Sequence, residues 1–101
     1  MVLLISFDLP RKTKLQQKEA AVFRKRLISL GFTMKQFSLY ERRVRKNETA
    51  QKLVREVNRY LPCEGQVIAY ELPDYVHNNQ KVILGDEAIC KSDSKPKFII
   101  L

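Results

Sequence analysis

The chain has 101 residues, 45% of them hydrophobic and 30% charged, with three glycines and four prolines. This composition excludes collagen-like, low-complexity and disordered chains, and no apolar run approaches the ~20 residues of a membrane span. The formal net charge is +8, and residues 11–46 hold 12 of the 19 basic side chains against two acidic ones. Such a field attracts polyanions, nucleic acid first among them. A basic surface kept for solubility is the plain alternative. An anionic membrane would require an exposed apolar helix face as well, so no membrane partner is expected. One domain is expected at this length, with a core over residues 1–75 and a C-terminal extension over 76–101. The first residues lack a basic leader and a long apolar segment, so they do not read as a signal peptide. Cys63 and Cys90 fit neither a metal motif nor a disulfide framework, which points to a reducing cytoplasm.

Residues 2–7, Val-Leu-Leu-Ile-Ser-Phe, are a nearly continuous apolar run, which predicts a buried central strand. Asp8-Leu9-Pro10 ends it, since proline restricts its neighbour and cannot donate to a ladder. Thr13 to Leu30 reads as a helix. Thr13 and Gln16 offer a capping box, and Gly31 supplies the stop. Ala20, Phe23, Leu27 and Leu30 recur at three- and four-residue steps, one apolar stripe. Lys14, Lys18 and Lys25 fall within ~40° of one another at 100° per residue, a cationic ridge. Phe32 to Val44 is extended, but its alternation slips. Phe32 and Met34 share one phase and Phe37 and Leu39 the other, so a bulge or sharp turn is expected near residues 35–37. Asn47 is expected to cap a second helix running to about Leu61, with Ala50, Leu53, Val54, Val57 and Leu61 as its stripe. Residues 62–65 form a turn and Gln66 to Leu72 a strand. Residues 75–84 stay open between one turn of helix and a short strand.

This order predicts an α+β fold, the ferredoxin-like βαββαβ sandwich, with both helices on one face of an antiparallel sheet. Residues 85–96 are polar, and the chain then ends on Phe98-Ile99-Ile100-Leu101. Four terminal apolar residues need a sheet edge, either in their own sheet or in that of a second subunit. A homodimer with an exchanged C-terminal strand is therefore expected, with return to the chain's own sheet as the alternative.

No Ser/His/Asp or Cys/His catalytic pattern and no glycine-rich phosphate loop is present. His77, the single histidine, reads as a loop residue. Asp8 stands apart, at the end of the buried strand and just before a basic segment. Its plain reading is turn chemistry. Its functional reading is a metal ligand: one carboxylate is a poor Mg²⁺ site, but two brought together by a twofold axis, with water and phosphate oxygens, would make one.

Four stretches carry a family resemblance: Phe7-Asp8-Leu9-Pro10, Val22-Phe23-Arg24-Lys25-Arg26-Leu27, the run from Gly31 to Tyr40, and Ile83-Leu84-Gly85 before a polar loop. The chain resembles the small CRISPR-associated spacer-acquisition proteins that partner the CRISPR integrase, in the form found beside single-protein RNA-guided effectors. The resemblance implies a ferredoxin-like fold and a homodimer whose C-terminal strands cross between subunits. It implies a bridge between integrase dimers that holds a short duplex, the prespacer, for insertion into a repeat. It also implies metal-dependent endonuclease activity on RNA or DNA, with Asp8 as catalytic residue and Mg²⁺ ligand. Residues 74–80 depart from the more helical segment of similar proteins.

Three functions follow as expectations. The first is a structural DNA adaptor whose Arg11, Lys12, Lys14, Lys18, Arg42, Arg43 and Arg45 meet phosphates without reading bases. The second is a Mg²⁺-dependent phosphodiesterase using Asp8 from each subunit. The third is an RNA-recognition module that stacks bases on Phe7 and Phe37.

Overall fold

The N-terminal apolar run becomes an interior strand, β1 (Val2–Asp8), in a computed structural model that describes residues 1–85. After it come α1 (Lys14–Ser29), β2 (Thr33–Gln36), β3 (Leu39–Arg43), α2 (Asn47–Asn58), β4 (Gln66–Leu72) and a short α3 (Asp74–Asn78). The four strands form one antiparallel sheet in the order β2-β3-β1-β4. This is the expected ferredoxin-like sandwich. The apolar run is central because β3 and β4 flank it on both sides, so its ladder leaves no open edge. Of the open segment 75–84, the first residues form the helical turn α3, and residues 79–84 are neither helix nor strand. The apolar C-terminus and the strand exchange expected for it lie outside the described residues.

Leu3, Ile5 and Phe7 point from β1 into one core with Phe23 and Leu27 of α1, Tyr40 of β3, and Leu53 and Val57 of α2. Both helical stripes are thus buried on the same sheet face. Phe7 meets Phe23 edge-on at 5.2 Å between ring centroids and lies tilted against Tyr40 at 5.7 Å, geometries that the ring quadrupoles favour.

The start of α1 is the expected capping box: the Gln16 N–H donates to Thr13 Oγ1 at 3.1 Å, and the Thr13 N–H to Gln16 Oε1 at 3.1 Å. Its end is a Schellman turn. The N–H of Gly31 donates to Ile28 O and that of Phe32 to Leu27 O, both at 3.0 Å. Gly31 sits at φ +91°, where a side chain is strained.

The slip in alternation is a real irregularity. Thr33 faces Glu41 and Met34 faces Tyr40, but Gln36 then faces Leu39, leaving Lys35 as the extra residue. The second helix differs from expectation at both ends. Lys46, not Asn47, takes the extended conformation of the N-cap, and no side chain caps that end. Asn47 is already the first helical residue and not the cap. The helix stops at Asn58, three residues before Leu61, since Pro62 disfavours helical backbone just ahead of it. Leu61 is left 45% exposed and contributes nothing to the stripe. Among the described residues, no helix is long and apolar enough to cross a membrane.

Candidate nucleic-acid interface and metal position

Asp8 closes β1 opposite Gln66 and is exposed. Its backbone is held from one side by Gly65, in the turn before β4. A Cβ on Gly65 would stand 2.6 Å from the Asp8 carbonyl oxygen and 2.8 Å from Leu9 Cδ2, and the residue has φ +105°. Only glycine lets the turn come this close. Gly65→Ala is therefore expected to cost roughly 3 kcal/mol and to shift the Asp8 amide resonance. A loss under ~0.5 kcal/mol in urea unfolding would show that the turn does not press on Asp8.

As a donor, Asp8 suits a hard oxygen-seeking cation. Among the described residues, however, no group of three His, Cys, Asp or Glu side chains could hold a metal ion. One chain by itself thus presents a single exposed carboxylate at this position.

The basic residues singled out in the sequence divide into two groups. Arg11, Lys12, Lys14 and Lys18 stand exposed at the start of α1, just past Asp8, and none pairs with a carboxylate among the described residues. The first turn of α1 carries no acidic side chain. Gln16 ties this corner to the Gly65 turn, donating from Nε2 to Glu64 Oε1 at 3.0 Å. Arg42 and Arg43 end β3 at the other end of the sheet, where Arg43 faces Val2, and Arg45 follows just past it. Seven residues of β1 separate the groups, roughly 20 Å at ~3.3 Å per residue.

Within the second group only Arg45 is exposed without a partner among the described residues. Arg42 donates from Nη1 to Leu30 O at 2.7 Å, closing the C-terminus of α1. Arg43 Nη1 meets Asp74 Oδ1 at 3.0 Å, beside the Met1 amino group at 3.1 Å. The hydrogen bond from that amino group lowers the Asp74 pKa from its ordinary value, against a partial rise from desolvation and with further lowering from Arg43. Arg42 therefore serves the fold first, and Arg43 is a shared charge.

A different arginine, Arg24, was not singled out by sequence. Its guanidinium lies 3.9 Å from the Phe37 ring centroid and 5.6 Å from that of Phe7, and Arg11 lies 4.7 Å from Phe37. Gln17 and Arg24, seven residues apart on α1, share a helix face. That spacing was visible in the chain, and so was a turn near residues 35–37, but not that this turn carries Phe37 to Arg24. The same geometry removes the base-stacking role: Phe7 is 4% exposed in the core, and Phe37 is stacked by guanidinium groups. His77 lies in α3 rather than a loop, its Nε2 2.9 Å from Glu41 Oε1.

The family model described as CRISPR associated protein Cas2 matches residues 1–80. A CRISPR-associated endoribonuclease Cas2 of Ligilactobacillus salivarius is 35% identical over the full length of both chains. A protein of the same name from Campylobacter jejuni is 36% identical over 84% of this chain and 59% of its own. The crystal structure of Streptococcus pyogenes Cas2 at pH 6.5 superposes with a TM-score of 0.63 at 20% identity, covering 84% of this chain and all of that one. The last shows the shared fold. Together with the strand order and the match across residues 1–80, these likenesses establish that the chain belongs to the CRISPR associated protein Cas2 family.

Proposed function

We propose that this chain works in the cytoplasm as a dimeric nucleic-acid adaptor in CRISPR spacer acquisition, holding a short duplex while an integrase subunit inserts it into a repeat. The observation that carries this is the exposed set Arg11, Lys12, Lys14 and Lys18, with no carboxylate partner among the described residues. Unpaired cations on a compact surface meet phosphates and give binding that is indifferent to sequence. Arg45 extends the contact at the far end of the sheet, with Arg43 sharing its charge between Asp74 and the duplex. Two features support the homodimer. Among the described residues, β4 is an edge strand paired with β1 alone. The sheet face away from the core carries Leu4, Ile68 and a 47% exposed Tyr70.

The test combines binding with integration. Duplex affinity should fall steeply with salt, and replacing Arg11, Lys12, Lys14 and Lys18 with Gln should flatten the slope of log K against log salt by about 3.6 per chain in contact. The same variant should fail to stimulate insertion by the cognate integrase. No stimulation by the unaltered protein over integrase alone would remove the adaptor reading.

A second reading is favoured by the name of the full-length relative, an endoribonuclease, and by the position of Asp8. In it, Asp8 from each of two subunits would hold one Mg²⁺, which suits carboxylate oxygens. Mg²⁺ there supplies charge neutralisation at the phosphodiester and an activated water. The chain's own part is to present the paired carboxylates on rigid strand ends beside a basic surface.

A further inference from the structure

The cleft lined by Arg11, Gln17 and Arg24, about 420 Å³, opens at the same end of the sheet as Asp8. The Phe7 N–H donates to Ser38 O at 3.0 Å and so fastens the β2–β3 turn, with Phe37 on it, against the end of β1. Two guanidinium groups converge on the Phe37 ring from different elements, one from the segment before α1 and one from the middle of α1. Neither has a carboxylate partner among the described residues. This differs from the other structural arginines, since Arg42 answers a helix carbonyl and Arg43 a carboxylate.

The geometry points to a phosphate-binding cleft formed by Arg11 and Arg24, which seats one phosphodiester of a nucleic-acid strand next to Asp8. It rests on the nucleic-acid reading above and adds to it Arg24, a residue outside the exposed basic group. Stacking on an aromatic face fixes the plane of a guanidinium while leaving its in-plane N–H groups free. Those are the donors that match phosphate oxygens in a fork. Among the described residues, Arg24 uses only its Nε–H, toward Phe37 O at a long 3.4 Å, so its two terminal nitrogens remain. Arg11 is steadied through its backbone, where Gln17 Nε2 donates to the Arg11 carbonyl at 3.1 Å. Burial lowers the Arg24 pKa, against a rise from Tyr40 and with a smaller further lowering from the nearby Arg11. Two like charges held together without a counter-charge are the arrangement that an oxyanion relieves. A nucleobase is the poorer occupant, because the ring it would stack on already carries cations.

Phosphate chemistry has two sources, a polynucleotide backbone and a free or terminal phosphate. The full chain, labelled for detection of arginine Nε–Hε resonances, is titrated with inorganic phosphate, with a short duplex lacking terminal phosphates, and with its 5′-phosphorylated form. The Arg24 resonance is expected to move with both duplexes equally and with inorganic phosphate at far higher concentration. Arg24→Gln and Arg11→Gln should each weaken duplex binding about tenfold, while Lys52→Gln on α2 should leave it unchanged. Because both arginines share one phosphate, the double variant should lose clearly less than the hundredfold product. Arg11 is exposed, so its variant remains informative if Arg24→Gln unfolds. An unmoved Arg24 resonance, unchanged affinity in both single variants, or losses that multiply fully would overturn the cleft. A response to the 5′-phosphorylated duplex alone would overturn the backbone assignment. A response to inorganic phosphate without any duplex binding would leave the cleft standing and sink the adaptor reading.

Discussion

Asp8→Ala is expected to lower Mg²⁺-dependent cleavage of RNA or DNA on the order of 10³-fold, the equivalent of the several kcal/mol a bound metal contributes at a phosphodiester. The side chain is exposed at a strand end, so stability should change by no more than about 0.5 kcal/mol. Duplex binding should persist, since the exposed cations at the start of α1 are untouched. The comparison uses matched preparations with dimerisation checked first. Cleavage that survives in Asp8→Ala would place the metal elsewhere or trace the activity to a contaminant, and the nuclease reading would fall while the adaptor reading stood. Loss of integration in a variant that still dimerises and binds duplex would bring Asp8 into spacer insertion itself.

The largest effect on stability is expected at Phe23. Its ring is 1% exposed and is the contact through which α1 grips Phe7 of the central strand. Phe23→Ala should cost about 3–5 kcal/mol from lost burial and the cavity left behind. A domain of this size holds only about 5–15 kcal/mol in total, so much of that margin would go. The measurement is urea unfolding at fixed protein concentration, because dimerisation would make the midpoint concentration-dependent. Val22→Ala, one residue away and 50% exposed, is the control and should stay within about 0.5 kcal/mol. A Phe23 loss near that of Val22 would mean that α1 does not pack on the sheet through this face.

Much of the architecture was legible from local pattern. The apolar run of residues 2–7 favoured a buried central strand, and Thr13, Gln16 and Gly31 marked both ends of α1. The phase change between Met34 and Phe37 announced a bulge that the register then placed at Lys35. Such signals work because capping, strand alternation and helical periodicity involve residues a few positions apart. The second helix shows their limit. A cap depends on which residue adopts extended backbone, and Lys46 takes that place although Asn47 has the better side chain.

The sequence by itself determined the fold class, the basic character of the first half and the position of Asp8 at a strand end. What the cations do was decided by the tertiary structure. Arg42, Arg43 and Arg45 share with Arg11 the sequence expectation of meeting phosphates, yet β1 separates them by its whole length, and Arg42 closes a helix instead. Arg24 read as one more helix charge, yet the β2–β3 turn delivers Phe37 beneath it and sets Arg11 alongside. The reason is physical. A charge is available to a ligand only when nothing in the fold already answers it, and the groups that answer it come from distant segments joined by sheet register and helix packing.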